Sequence, residues 1–324
     1  MSRFLAGVIL AGLMFPSACT QPQSESAQSG PTIAVIPKGT THSYWRSVEA
    51  GAKEAGEELS ARIIWKGPLK ENDRAMQIAL VEQFVTEGVD GIALAPLDET
   101  ALLRPVKEAA ARHIPVVIFD SDLQGTVGKD FISFVATDNY TGGQMAGREM
   151  VDLLGGKGKV AMLRYQVGSA STEQREQGFL DVLAEHPGIQ ILVDNQYGGA
   201  TSGESLQKAE EMLDTLRQAD GIFCPNESST YGMLVALRKH NLAGKVHFVG
   251  FDSSAELIRG LENGALDALV VQHPRKMGNL AVRTVVDYLR GQQVPQRIDT
   301  GVQLVTRDNL QDPAIQELVK PIEE

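Results

Sequence analysis

Short apolar runs alternate with amphipathic helical segments along almost the whole chain from Thr32 onward. Within the helical segments apolar residues recur at i, i+3 and i+4, and Gly88 and Pro115 interrupt the pattern. Such alternation is typical of right-handed βαβ units, which build parallel sheets. The predicted strands are 33–36, 63–65, 91–95, 116–119, 132–135, 160–163, 189–193, 221–223, 247–250 and 269–271.

The number of strands decides the fold class. About ten strands are too many for one typical doubly wound sheet, and 324 residues are enough for two domains. The sequence therefore predicts an α/β protein with two Rossmann-like, doubly wound parallel sheets of about five strands each. A hydrophobic content of 43% can supply a core to both.

The first nineteen residues differ from the rest. Arg3 is their only charged residue, an apolar run covers 4–15, and Pro-Ser-Ala-Cys ends the segment. The apolar run is shorter than the about 20 residues of a membrane span, so we predict a signal peptide at 1–19. The small residues before Cys19 resemble a bacterial lipobox, which predicts lipidation of Cys19. Pro16 stands where Leu is usual, so ordinary cleavage nearby remains the alternative.

Residues 20–31 are rich in Ser, Gln and Pro without an apolar period, which predicts a flexible tether. Cys224, the only other cysteine, lies in an apolar strand pattern and is predicted to be a buried thiol without a disulfide partner. The net charge of −11 argues against a nucleic-acid surface, which needs clustered Lys and Arg. Membrane contact is expected only through the lipid anchor.

Polar and aromatic residues follow several of the predicted strands. In open α/β sheets ligands bind beyond the carboxyl ends of the strands, so these residues are candidates for one binding site. They are His42, Tyr44 and Trp45 after the first strand, and Asp120, Arg175, Asn226, Asp252 and Gln272 after later ones.

This set of side chains suits a neutral polyol such as a monosaccharide. Carboxylates accept hydrogen bonds from neighbouring hydroxyls, and Arg donates in a fixed fork. Aromatic rings offer a flat apolar surface to the C–H face of a sugar. Two carboxylates with one Arg leave the set slightly negative when His42 is neutral, which disfavours an anionic ligand.

Each candidate also has a purely structural alternative. Arg175 could pair with Glu173 or Glu176 at the start of a solvated helix. Asp252 could cap the helix that follows it, since Asp is a good N-cap residue. The Tyr-Trp pair could belong to the core, because apolar positions continue along the same helix face.

Signatures of catalysis are weak. The run GGKG at 155–158 precedes a strand, whereas a phosphate-binding loop must follow one. No GxSxG elbow occurs, and the six His residues are not spaced as metal ligands. Asp120 and Asp252 leave open a carboxylate pair for glycoside hydrolysis, but nothing in the sequence specifies their separation. We expect a binding protein without cofactor or metal, with a sugar-converting enzyme as an alternative.

Six ordered motifs carry a resemblance to a known family. They are GVDGI at 88–92 with AP at 95–96, IPVVIFD at 114–120, ATDN at 136–139 with GG at 142–143, REQGF at 175–179, FCPNE at 223–227 and VGFD at 249–252. From Thr32 to about Thr306 the chain thereby resembles the type I periplasmic substrate-binding proteins of the ribose-binding class.

The resemblance implies two lobes that close on a sugar and are joined by three crossings, near Thr137, Gln272 and Arg297. The lobes are then expected at 32–137 plus 273–297 and at 138–272 plus 298–324. It also implies sugar contacts for all eight candidates named above, and a peripheral contact for Thr137.

The chain departs from the ribose binders at several positions in the site. Ser121, which belongs to the predicted site, stands where they have Arg. Ala200 stands where they have a further Phe, with Tyr197 nearby, and His42 stands where they have Asn. We therefore expect a monosaccharide-like ligand without specifying ribose.

The function implied by the resemblance is that of an extracytoplasmic receptor. It would capture a neutral monosaccharide or related polyol, act as a monomer in the periplasm or at the cell surface, and deliver the ligand to an ABC importer permease. The alternative is a sensor that presents the bound sugar to a chemoreceptor or histidine kinase.

Overall fold

The computed structural model describes Met1 and residues 30–320, which form two α/β lobes, each built around one six-stranded sheet. This architecture confirms the predicted fold class. The predicted signal-peptide residues, Cys19 and most of the predicted tether fall at 2–29, outside the described residues.

The first sheet is entirely parallel. Its order is β2-β1-β3-β4-β5-β11. The strand β1 is buried along nearly its whole length, as expected for a parallel strand with helices on both faces. The strands are β1 (Thr32–Ile36), β2 (Arg62–Trp65), β3 (Gly91–Leu94), β4 (Val116–Phe119), β5 (Ser133–Ala136) and β11 (Arg297–Asp299).

The second sheet repeats this order as β7-β6-β8-β9-β10-β12. It differs at one edge, where β12 runs antiparallel to β10. Its strands are β6 (Gly158–Arg164), β7 (Ile189–Tyr197), β8 (Gly221–Phe223), β9 (His247–Phe251), β10 (Ala268–Gln272) and β12 (Val302–Thr306). Cys224 is a free, buried cysteine in the core of this lobe, as predicted.

Helices cover both faces of each sheet. In the first lobe they are α1 (Ser43–Leu59), α2 (Arg74–Glu87), α3 (Leu103–Ala111) and α10 (Pro274–Leu289). In the second lobe they are α4 (Asn139–Leu153), α5 (Ala170–Ala184), α6 (Ser202–Glu211), α7 (Leu213–Leu216), α8 (Glu227–Lys239), α9 (Ala255–Glu262) and α11 (Pro313–Val319).

The chain passes between the sheets three times. The passages follow β5, follow β10, and join β11 to β12. Because β11 belongs to the first sheet, the third passage follows Asp299. The Thr137 hydroxyl connects all three, since it donates to Gln272 Oε1 at 2.9 Å and lies 3.3 Å from Thr300 Oγ1.

Candidate functional site

Two aspartates occupy equivalent places in the two lobes. Asp120 follows β4 and Asp252 follows β9, and each of these strands is the fourth in its sheet. Both residues have left-handed backbones, with φ of 64° and 67°. Asp tolerates this conformation better than most residues, although it costs roughly 1–2 kcal/mol. Each backbone N–H donates to the neighbouring strand, to Val135 O at 3.0 Å and to Val270 O at 2.8 Å.

The Asp120 carboxylate is held by groups of its own lobe. The Tyr44 hydroxyl donates to Oδ1 at 2.7 Å, and Lys38 Nζ lies 3.3 Å from Oδ2. The Lys38 ammonium also donates to the hydroxyls of Ser169 at 3.2 Å and Ser171 at 3.0 Å, which belong to the second lobe. All five residues are buried, so this cluster connects the lobes in a region with little water.

The Asp252 carboxylate is held mainly by neutral donors. Gln272 Nε2 donates to Oδ1 at 2.7 Å, and the backbone N–H of Glu227 donates to Oδ2 at 3.0 Å. The Arg175 guanidinium is 4.0 Å away, beyond hydrogen-bond distance. Burial raises the pKa of Asp252, and Arg175 with the two donors offsets only part of that rise.

Arg175 lies in the first turns of α5 and is almost fully buried. Its guanidinium stacks 4.0 Å from the centre of the Phe251 ring and donates to Asn139 Oδ1 at 2.8 Å and to Pro225 O at 3.0 Å. Helix α4 can approach this closely because a Cβ at Gly143 would lie 2.0 Å from the Arg175 carbonyl oxygen.

The alternative pairing of Arg175 with its helix neighbours is not seen among the described contacts. Glu176 pairs with Arg164 at 2.6 Å, and Glu173 accepts from the backbone N–H of Gly168 at 2.7 Å. Arg175 is therefore directed into the cleft and not to the solvated face of its helix.

The aromatic pair at the start of α1 belongs to the core and also faces the cleft. Tyr44 and Trp45 are 7% and 2% exposed, and their rings meet edge to face at 5.0 Å. Both line the cavity between the lobes. The rings therefore pack on the first sheet and also border the cavity between the lobes.

His42 is the N-cap residue of α1, and its Nδ1 lies 2.5 Å from Glu71 Oε1. Burial alone would lower the pKa of His42, but the charge and hydrogen bond of Glu71, with Glu227 and Asp252, raise it to about 9. The imidazole is therefore charged at neutral pH. Burial alone would raise the pKa of Glu71, but His42, Lys38 and the Tyr165 hydroxyl lower it to about 2.

The cavity between the lobes is small, with a volume of about 30 Å³, well below the roughly 300–1,000 Å³ of ligand pockets that hold drug-sized molecules. Eight of the ten predicted residues line it. They are His42, Tyr44, Trp45, Asp120, Arg175, Asn226, Asp252 and Gln272.

Two predicted residues do not line this cavity. The Ser121 hydroxyl accepts from the backbone N–H of Ser171 at 3.1 Å, which joins the lobes beside the cavity. Thr137 lies at the crossings, where it orients Gln272. Asn226 lines the cavity and caps α8 as well, accepting from the backbone N–H of Ser229 at 3.2 Å.

Six further residues line the cavity without having been predicted. Lys38 and Glu227 could have been found, because Lys38 follows the first strand closely and Glu227 follows Asn226 directly. Glu71 lies in an irregular loop that carries no periodic signal. The full set is Lys38, Glu71, Tyr165, Ser171, Thr172 and Glu227.

Across residues 30–320 no three His, Cys, Asp or Glu side chains form a group that could hold a metal ion. Over the same residues, every helix is too short or too polar to span a bilayer.

The fold and cleft define a class of two-lobed binding proteins, and comparison with known proteins gives the family. Residues 33–293 match the model of the periplasmic binding protein domain. The chain belongs to this family of periplasmic proteins. Within it, the chain is a type I sugar-binding protein of the ribose-binding class.

Curated relatives and solved structures support this placement. The ribose import binding protein RbsB of Haemophilus influenzae is 26% identical over 283 residues, which cover 87% of this chain and 94% of that protein. A periplasmic component of an ABC-type sugar transport system from Hahella chejuensis is 38% identical, with a TM-score of 0.82, over 85% of this chain and 100% of that chain. An ABC transporter solute-binding protein from Agrobacterium vitis with bound D-fucose is 35% identical, with a TM-score of 0.86, over 89% and 99% of the two chains.

Proposed function

We propose that this protein is the extracytoplasmic receptor of an ABC sugar importer. It captures a neutral monosaccharide or related polyol between its lobes and delivers it to the permease, acting as a monomer. The observation that carries this proposal is the convergence of Asp120, Arg175 and Asp252 on one cavity between the two sheets. Structural neighbours that bind D-fucose and other sugars support the ligand class.

The charges around the cavity favour a neutral ligand. Its cationic groups are Lys38, Arg175 and the protonated His42, and its acidic groups are Glu71, Asp120, Glu227 and Asp252. Burial raises the pKa of Glu227, because it disfavours the charged carboxylate. An anionic ligand would find each buried cation already beside a carboxylate, whereas sugar hydroxyls can both donate and accept.

The proposed ligand contacts divide by chemistry. The rings of Tyr44 and Trp45 pack against the sugar face, and the carboxylates of Asp120 and Asp252 accept from hydroxyls. Hydrogen bonds to the sugar oxygens are donated by His42, Arg175, Asn226 and Gln272. Ser121 and Thr137 support the site from outside the cavity.

Thermal melts against a panel of pentoses, hexoses and inositols test this function. The panel includes D-fucose, D-arabinose, D-ribose and myo-inositol. A ligand present at about 100 times its Kd should stabilise the folded protein by about 2.7 kcal/mol. We expect at least one neutral sugar or polyol to raise Tm clearly. A rise with an amino acid or a phosphate, and none with any polyol, would refute the ligand class.

We further propose that the protein is held at the membrane through a lipid on Cys19, with residues 20–31 as the tether. The small residues before Cys19 support this. Mass spectrometry of the mature protein tests it. A diacylglyceryl mass on an N-terminal Cys19 is expected, and an unmodified N-terminus elsewhere would contradict the anchor.

A further inference from the structure

Glu71 has an unusual position for a carboxylate. It lies in the loop between β2 and α2 and is only 6% exposed, although the loop belongs to no regular element. The side chain packs against Gly39, where an added Cβ would lie 2.7 Å from Glu71 Cγ. Burying a carboxylate is costly unless charged and hydrogen-bonding partners compensate for the lost water. The contacts that Glu71 makes must therefore offset the cost of its burial.

The Glu71 carboxylate accepts from three side chains that border the ligand space. Trp45 Nε1 donates to Oε1 at 2.8 Å, and His42 Nδ1 is 2.5 Å from the same oxygen. The Tyr165 hydroxyl donates to Oε2 at 2.7 Å. All three donors line the same cavity as Glu71 itself, so one carboxylate orients much of its wall.

These contacts come from both lobes. His42 and Trp45 belong to the first lobe, as Glu71 does, whereas Tyr165 directly follows β6 of the second lobe. Gln166 Nε2, also from the second lobe, donates to the Glu71 carbonyl oxygen at 2.6 Å. When the lobes separate, the contacts to Tyr165 and Gln166 must break, while those to His42 and Trp45 can remain.

The same carboxylate sets the chemistry of His42. With Nδ1 occupied by Glu71, only Nε2 of the imidazolium is left to donate to a ligand. Glu71 faces His42, Lys38 and Tyr165, and His42 faces Glu227 and Asp252 in addition to Glu71. A charged imidazolium donates and cannot accept, so it selects a hydroxyl or ring oxygen with a free lone pair.

Resting on the proposed function, we propose that Glu71 is a positioning residue for sugar binding. It fixes His42 as a charged donor, holds the Trp45 ring at the cavity wall, and links this wall to Tyr165 when the lobes close. Glu71 does not itself need to touch the sugar.

Two isosteric variants, Glu71→Gln and Tyr165→Phe, separate the effect of Glu71 on His42 from its link to the second lobe. Glu71→Gln removes the charge and leaves one acceptor oxygen for three donors. Tyr165→Phe removes only the donor from the second lobe and keeps the ring. Glu71→Asp tests for partial rescue by a shorter carboxylate. Glu87→Gln is the matched control, because Glu87 is an exposed residue of the same lobe whose carboxylate accepts from Gln83.

The first measurement is an NMR titration of the His42 ring in the ligand-free protein. Glu71→Gln should lower the pKa of His42 by about one unit or more, because a nearby opposite charge shifts a pKa by roughly 1–3 units. Tyr165→Phe and Glu87→Gln should leave the titration close to that of the wild type. Circular dichroism checks that each variant is folded.

The second measurement is sugar binding, followed with D-fucose by calorimetry and by stopped-flow fluorescence. Replacing Trp65 by Phe leaves Trp45 as the only tryptophan reporter. Glu71→Gln should weaken affinity by about tenfold or more, the expected cost of losing a charged hydrogen-bond acceptor. Tyr165→Phe should mainly raise the dissociation rate, because it weakens only the closed state.

The outcomes distinguish the inference from the function on which it rests. An unchanged His42 titration in Glu71→Gln would overturn the positioning role, whether or not D-fucose binds. A normal dissociation rate in Tyr165→Phe would overturn the link between the lobes. If the wild type binds no sugar in the panel, the proposed function fails, while the titration still decides whether Glu71 controls His42.

Discussion

In each lobe an aspartate with the same backbone conformation faces the cleft, but the side chains that contact its carboxylate differ between the two lobes. Asp120 and Asp252 share the strand position, the left-handed backbone and the hydrogen bond to the next strand. Asp120 has an ammonium at 3.3 Å, from Lys38. Asp252 has an amide and a backbone N–H, with the Arg175 guanidinium at 4.0 Å.

The difference shows how one scaffold can hold two unlike acceptors. The backbone fixes where each carboxylate lies, and the neighbouring side chains determine which groups compensate for its burial. Burial raises the pKa of Asp252, because the Arg175 charge and the two neutral donors offset the loss of water only in part. A buried ion pair such as Lys38–Asp120, in contrast, depends on both partners being present. Variants that remove one charge at a time should therefore affect the two lobes unequally.

The largest effect is expected for Asp120→Asn. This change leaves the Lys38 ammonium buried without its carboxylate, and breaking a buried pair costs about 3–5 kcal/mol. Denaturant unfolding should show a loss of that order. Calorimetry with the sugar that most raises Tm in the melts should show that affinity falls by about tenfold or more. The double variant Lys38→Met/Asp120→Asn is the control and should recover most of the stability. Additive losses in the double variant would show that the two charges do not interact.

An intermediate effect is expected from pH acting on Glu176. Burial raises its pKa to about 7, despite the Tyr165 N–H and the Arg164 guanidinium. The folded state then binds a proton that the unfolded state has lost, so unfolding free energy falls as pH rises from about 4.5 to about 7. The contribution is on the order of 3 kcal/mol.

Urea unfolding of Glu176→Gln and the wild type across this pH range measures that contribution. In Glu176→Gln, the unfolding free energy should no longer show the fall with rising pH that the Glu176 carboxyl causes in the wild type. Glu71 in the first lobe acts in the opposite direction, because its lowered pKa makes its stabilisation disappear as pH falls from 4.5 toward about 2. Parallel pH profiles for Glu176→Gln and the wild type would contradict the assigned pKa.

The smallest effect is expected for Asp252→Asn. The new side-chain oxygen can still accept from Gln272 Nε2, while the bond from the Glu227 N–H and the attraction of the Arg175 charge at 4.0 Å are lost. Arg175 keeps its hydrogen bonds to Asn139 and Pro225. The expected loss of stability is about 1 kcal/mol, with about a tenfold loss of affinity for the same sugar. The measurements are those used for Asp120→Asn. A loss of stability as large as that of Asp120→Asn would show that the two lobes hold their aspartates equally strongly.

Sequence patterns predicted the fold and both aspartates because these depend on local order. Alternating strands and helices fix the parallel sheets, and a residue at the carboxyl end of a strand must lie at the sheet edge. Strands β11 and β12 were missed. The first is only three residues long and contains Arg297 and Asp299, which are not typical strand formers. Helix α10 begins at Pro274, since Pro is well tolerated in the first turn.

The rest of the site depends on contacts between distant parts of the chain. Glu71 meets Tyr165 across 94 positions of sequence, and nothing local to either residue indicates the contact. The helical periodicity around Tyr44 and Trp45 was also not enough to predict that their rings line the cavity. A helix face predicts burial, but it does not predict that the same rings border a cavity formed by the second lobe.

The three passages between the lobes bear on when the protein can fold during its synthesis. The first sheet takes its edge strand from Arg297–Asp299, paired with β5 more than 160 positions earlier, and the second sheet takes its own edge strand from Val302–Thr306. A chain growing from its N-terminus can therefore finish neither sheet until nearly all of it has left the ribosome. Closing such long loops is slow because chain entropy must be lost before the contacts form. The two lobes therefore become complete at nearly the same time, after nearly all of the chain has been made.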